Sequence, residues 1–178
     1  MISHVSLDSV WRLSHYERLY LNLKETPMFG AIKFVKAAGR GLGKIFKGKE
    51  AKEKLEKEVD DLGLDKTGVE INVDEEGKVT VSGEAVSQEI KEKIILAVGN
   101  VEGIGEVDDK ASARDGGRKS RFHTVVSGDT LSAIAKTYYG TWKLYPEIFE
   151  ANKPMLSDPD KIYPGQVLRI PDIKTANS

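Results

Sequence analysis

Residues 111–120, Ala-Ser-Ala-Arg-Asp-Gly-Gly-Arg-Lys-Ser, show no apolar period and sit between two strongly patterned blocks. Small, polar and basic, residues 111–121 read as a solvated linker. A chain of 178 residues divided at that point folds as two small domains. The expected organisation is an extension over 1–27, a basic segment plus first domain over 28–110, a second domain over 122–172, and a tail over 173–178. The net charge of −1 argues against a polyanion binder, so no nucleic-acid partner is expected. The chain has no cysteine, which excludes disulfides and thiolate metal sites and fits a reducing compartment. No apolar run reaches the roughly 18–20 residues of a membrane span.

Residues 1–27 contain Asp8, Arg12, Glu17, Arg18, Lys24 and Glu25 and no continuous apolar stretch. They do not read as a secretory signal, and a cytoplasmic location is expected. Val10, Leu13, Tyr16, Leu19 and Leu23 recur near helical spacing. A helix, a frayed tail, and a natural start at Met28 are the three readings of this extension.

Residues 28–49 are basic, with Lys33, Lys36, Arg40, Lys44, Lys47 and Lys49 and no acid before Glu50. Phe29, Ile32, Val35, Ala38, Leu42, Ile45 and Phe46 form an apolar stripe. Such a segment lies on an anionic membrane or packs on the next domain. Gly39, Gly41 and Gly43 each cost a helix about 1 kcal/mol relative to Ala. The Gly-Arg-Gly-Leu-Gly-Lys run is a poor phosphate loop, because Ile45 stands where a hydroxyl must hold magnesium and Ala38 where the first glycine belongs.

The first domain begins with a helix whose face is Ala51, Leu55, Val59 and Leu62, stopped by Gly63. Residues 69–73 and 78–82 alternate apolar and polar around an Asp74–Gly77 turn, which predicts a hairpin with one buried face. Ser87 caps a second helix with Ile90, Ile94, Ala97 and Val98 inward and Glu89 paired to Lys93 outside. Gly99 ends it, and 104–107 is a third strand. The fold class is α+β, with both helices on one face of a three-stranded sheet.

The second domain reads strand, helix, helix, strand. Residues 122–126 form the first strand. Asp129 or Thr130 caps a helix whose inner face is Leu131, Ile134, Ala135 and Tyr138, and Gly140 stops it. Pro146 suits the first turn of the next helix. Residues 163–166 turn, and 167–170 close the sheet before Pro171.

Residues 125–135, Asn152-Lys153-Pro154 and 162–171 carry a motif that resembles a LysM domain across the whole unit. The resemblance implies a shallow groove for N-acetylglucosamine-containing glycans such as peptidoglycan, formed by Gly128, Asp129, Thr130 and Leu131 facing Ile162, Tyr163 and Pro164. Residues 50–110 resemble a BON domain. Together with segments 28–36, 88–94, 97–100 and 150–156, most of the chain from 28 to 171 is similar to the bacterial cytoplasmic potassium-binding proteins of BON–LysM type. That resemblance implies a potassium ion held by the backbone carbonyls of Val35, Lys36 and Ala38 and of Gly99, Val101 and Ile104. Isoleucine is usual in that family at the position of Val101, a change that a backbone ligand tolerates. Spacing alone reads 99–105 as an ordinary helix-to-strand connection.

Potassium is large and weakly hydrated, and neutral carbonyl oxygens replace its water shell. A helix C-terminus leaves carbonyls unpaired and partly negative, and the glycines let the chain turn oxygens inward. Catalysis has little support. His123 reads as a strand residue at a domain edge. Asp60-Asp61, Asp74-Glu75-Glu76 and Asp108-Asp109 lack the spacing of a calcium loop, and Trp142 and Tyr145 read as core packing rather than sugar-stacking. The leading expectation is a monomeric, non-enzymatic potassium sensor or buffer. A glycan-binding envelope stress protein and a peripheral membrane protein are the alternatives.

Overall fold

The computed structural model describes residues 31–34 and 48–173. The extension over 1–27 and most of the basic segment lie outside them. Within them, helix and strand mix as expected for an α+β chain, in a first unit, the one that resembles BON, followed by a second, the one that resembles LysM.

Helix α1 (Gly48–Asp61) buries Ala51, Leu55 and Val59 and carries charged pairs such as Glu50–Lys54 and Lys49–Glu53 on its outer face. Gly63 ends it with φ +67. Its N–H reaches Asp60 O and the N–H of Leu64 reaches Val59 O, the two crossed bonds of a Schellman stop. Strands β2 (Val69–Val73) and β3 (Val79–Ala85) form the antiparallel hairpin. Asp74 Oδ1 accepts the N–H groups of Glu76 and Lys78 at its tip. Helix α2 (Gln88–Gly99) crosses over to β4 (Glu106–Asp109), which pairs parallel with β3.

Two strands appear that the sequence reading did not contain. Ala31–Lys33 is a strand, β1, antiparallel to β4. Ile32 and Phe34 pack on the core while Lys33 is exposed, a period of two rather than the helical stripe expected there. Ser112–Ala113 is β5, parallel to the end of β3. The sheet order is β1-β4-β3-β2, and Ile71, Val79, Val81 and Val107 line its buried face.

Residues 111–121 are therefore not a free tether. Beyond β5, Asp115 Oδ1 accepts the N–H of Gln88, adding to the Ser87 cap on Ile90 N, so two donors orphaned at the start of α2 are satisfied. Arg118 pairs with Asp172. Backbone pairing and side-chain bonds, not an apolar pattern, hold this stretch.

The LysM unit pairs β6 (Arg121–Thr124) with β7 (Val167–Ile170), antiparallel. Between them run α3 (Leu131–Tyr139), a 3-10 turn over Trp142–Leu144, and α4 (Tyr145–Ala151). Thr130 caps α3 by accepting from Ala133 N, and Gly140 closes it in the left-handed region. Asn152 is buried. Its amide donates to Ile148 O and Arg169 O and accepts from Arg169 N, which takes up one stretch of the β7 edge turned away from β6. Trp142 is 56% exposed rather than part of the core, because the 3-10 turn sets it outside the helical face.

Helix α2 lies between the sheet and the LysM unit and is buried nearly all round. Glu92, 2% exposed, accepts from Gln88 Nε2 at 2.7 Å and from Ser120 N at 2.8 Å. It pairs with Arg169 Nε of β7 at 2.7 Å. Lys91 is also buried, held by Asp109 Oδ2 and Ala111 O. Phe122, Met155 and Val167 join the BON core.

Glu92→Ala leaves the Arg169 guanidinium buried without its partner and is expected to lower the unfolding free energy by about 3–5 kcal/mol. A Glu92→Leu, Arg169→Met pair should recover most of that loss in urea unfolding, well short of the sum of the single changes. The N–H groups of Gly117 and Gln88 hold the Asp115 carboxyl below its ordinary value. The folded state thus favours the carboxylate, whose contribution is complete above the usual carboxylate range and fades as pH falls through the lowered value. In melting curves the gap between the wild type and Asp115→Ala should be widest at neutral pH and close in acid.

Candidate functional site

The stretch 99–105 joins α2 to β4. α2 continues through Gly99, and Asn100 then caps it at φ −79 and ψ 1. Val101 and Ile104 are buried in the BON core. The N–H of Ile104 donates to Val101 O at 3.1 Å and that of Val101 to Val98 O at 3.3 Å, which curls 101–104 into a turn. Gly103 has φ +95, so the turn needs a glycine there. The loop was expected to use its glycines for conformation. Gly103 does so, whereas Gly99 has a helical backbone and is glycine for another reason. The ring of Phe34 lies on its α-carbon, where any Cβ would overlap the ring.

Phe34 ties the end of β1 to this loop. Its N–H donates to Gly105 O at 2.9 Å, extending the β1–β4 pairing by one step. The next residue in the chain is Val35. Val35, Lys36 and Ala38 lie outside the described residues. Gly99, Val101 and Ile104 do fall on one turn at the partly negative end of a helix. What this turn offers a cation is neutral backbone oxygen, each carbonyl having two lone pairs. That donor set suits a large, weakly hydrated ion such as potassium. Among the described residues no group of three or more His, Cys, Asp or Glu side chains is gathered as a metal site.

Asn100, between two of the predicted ligands, reaches into the other domain. Its Nδ2 donates to Val167 O at 2.9 Å and its Oδ1 accepts from Val167 N at 2.8 Å. Sequence reasoning quoted Asn100 only as part of a matching motif. An amide one position past a helix stop reads as a cap, and nothing local signals a partner 67 residues away.

In the LysM unit, Gly128, Thr130 and Pro164 are exposed, Asp129 and Ile162 are half-buried, and Tyr163 is 63% exposed. Leu131 is buried in the core rather than open to the groove. Among the described residues, the contacts of the BON unit run through Ser120, Phe122, Met155 and β7 rather than through this groove. His123 Nε2 lies 2.8 Å from Asp129 Oδ2 and Nδ1 3.3 Å from the Tyr138 hydroxyl. Burial pushes the Tyr138 phenol up to about 12, so it stays an O–H donor; in the tautomer that satisfies both contacts, Nδ1 accepts from it and Nε2–H donates to Asp129. Asp129 Oδ2 also accepts Val126 N. The set braces the loop ahead of α3.

A LysM domain model matches residues 123–171 and a BON domain model matches residues 49–115, so the chain is a two-domain BON–LysM protein. It is 51% identical over 148 residues to the potassium binding protein Kbp of Escherichia coli O6:H1 strain CFT073, covering 80% of this chain and 99% of that protein. The chain belongs to the family of that protein. Shorter matches reach an uncharacterized protein of Deinococcus radiodurans, 51% identical over 49 residues and 19% of its length. An esterase of Mycobacterium tuberculosis strain H37Rv is 52% identical over 48 residues and 10% of its length.

Asn100→Ala should leave the N–H and C=O of Val167 without their partners, each such loss costing about 1–3 kcal/mol where the group stays buried. Hydrogen exchange at the Val167 amide should accelerate far more than at Ile71 in the BON sheet.

Proposed function

We propose that this chain binds potassium through backbone carbonyls of two segments, 35–38 and 99–104, and acts in the cytoplasm as a sensor or buffer of the ion without enzymatic activity. The observation that carries this reading is Phe34. Its ring and N–H fasten the end of β1 to Gly99 and Gly105, and Phe34 is the residue before Val35 in the chain. The family relationship supports the ion, since the relative spanning most of the chain is named a potassium binding protein. Binding that needs both segments favours the state in which they meet, and the ion then stabilises that state by mass action.

A second reading, glycan binding by the LysM groove, is favoured by the exposure of Tyr163 and its neighbours while the BON unit is docked. The two readings use different faces and are compatible.

Titration with potassium, against sodium and magnesium at matched ionic strength and followed by amide chemical shifts, separates them. Saturable shifts centred on 35–39 and 99–104 are expected for potassium alone. Flat curves for every cation would remove the ion-binding reading and leave chitooligosaccharide titration of residues 128–131 and 162–164 as the next test.

A further inference from the structure

Two short turns of the LysM unit are built alike. In residues 126–129 the N–H of Asp129 donates to Val126 O at 3.1 Å, and the N–H of Val126 donates to Asp129 Oδ2 at 2.9 Å. In residues 163–166 the N–H of Gln166 donates to Tyr163 O at 3.0 Å, and that of Tyr163 to Gln166 Oε1 at 3.1 Å. Each turn is closed by the backbone and by the side chain of its fourth residue. Val125 joins the two at their base, its N–H donating to Gln166 O at 2.8 Å and its carbonyl accepting from Gly165 N at 2.7 Å. Above that base the turns carry Gly128 and Tyr163, both exposed. The first turn has a further hold. His123 of β6 stands between Asp129 Oδ2 and the hydroxyl of Tyr138 on α3, and the Tyr138 ring meets the imidazole edge-on, 5.7 Å between centroids. Arg121 lies over the same tyrosine at 4.7 Å. The His123 and Asp129 side chains are only 13% and 19% exposed, so water competes little for their bond.

We propose that His123 is the positioning residue of the glycan groove. Held by Tyr138 on one side, its imidazole fixes the Asp129 carboxylate, and the carboxylate fixes the turn 126–129 as one wall beside the turn 163–166. The inference rests on the glycan reading above. His123 acts through Asp129 and not on the sugar. It raises the fraction of molecules whose first wall stands in the binding geometry, and apparent affinity scales with that fraction. A wall ordered beforehand also spares the ligand the cost of ordering it. The second wall is closed by the neutral amide of Gln166, so a change at His123 acts on 126–129 and leaves the Tyr163 turn in place.

The test titrates chitooligosaccharide into the full chain as wild type, His123→Gln, His123→Leu and Tyr138→Phe, with urea unfolding of each variant alongside. Glutamine places an N–H donor near the site of Nε2, whereas leucine offers none. His123→Leu should weaken glycan binding by about tenfold, the loss expected of a wall in place about a tenth of the time. His123→Gln should recover most of that affinity, and Tyr138→Phe, which removes only the donor to Nδ1, should lose less than His123→Leu. A merely structural role gives a different order, because leucine suits a half-buried strand position at least as well as glutamine. The amide signal of Val126 should shift in His123→Leu while that of Tyr163 stays in place. If His123→Leu does not fold, His123→Asn, whose shorter amide falls short of Asp129, takes its place in the comparison. Wild-type affinity in the variant without the donor, or glutamine binding no better than that variant, would overturn the positioning role and leave glycan binding standing. A wild type with no saturable response to chitooligosaccharide would overturn both.

Discussion

One carboxylate, that of Glu92, accepts hydrogen bonds from its own helix, from the segment that leads into the LysM unit, and from β7 of that unit. A charge taken out of water costs several kcal/mol unless it is paired and hydrogen-bonded. Those partners come together only when both domains are folded and docked. The pair is therefore weak evidence for net stability and strong evidence for a defined arrangement, since another docking angle would strand Glu92 or Arg169. Lys91 repeats the logic one residue earlier, held by Asp109 and the carbonyl of Ala111. Helix α2 is thus fixed from both sides, and the loop at its end inherits a fixed position.

Local signals survived translation into structure where the competing forces were local. Ser87, Thr130, Gly63 and Gly140 stop or start helices as their chemistry predicts, and the hairpin over 69–85 follows its alternation. Where a long-range partner decides, the pattern misleads. Lys91 and Glu92 are buried beyond the inward face of Ile90, Ile94, Ala97 and Val98, because Asp109 and Ala111 take up the first and Ser120 and Arg169 the second. Residues 111–121 read as a tether because two residues of parallel strand and an Asp cap leave no apolar period. The stripe over 28–46 shows helical spacing, yet Ile32 and Phe34 enter the core two residues apart along a strand.

The candidate site is the harder case. Carbonyl ligands carry no side-chain signature, so spacing gave no reason to prefer a cation site over a plain connection. The resemblance supplied the residues, and the structure explains one feature of the motif physically. Gly99 is glycine because an aromatic ring occupies the volume of its side chain, and Gly103 because the turn needs positive φ. Those are two different demands on two glycines of one short loop, and only the second follows from backbone geometry that a sequence can suggest.

The outward edge of β7 joins the loop to the second domain. Asn152 of the LysM unit takes up the backbone of Arg169, and Asn100 of the BON unit takes up that of Val167. The first pair belongs to the LysM fold itself, whereas the second exists only in the docked state. In the undocked state water replaces Asn100, so the net value of its two bonds is about 1–3 kcal/mol. Separation also returns Glu92 and Arg169 to solvent, which offsets much of the lost attraction. The apolar contacts of Phe122, Met155 and Val167 thus supply most of the docking free energy, and the polar ones set its geometry. A ligand at a hundred times its dissociation constant contributes about 2.7 kcal/mol. On the proposed reading, an ion bound by Gly99 and Val101 flanks the residue whose bonds to β7 are worth about as much. Such an ion shifts docking only by the difference between its affinities for the docked and the undocked states.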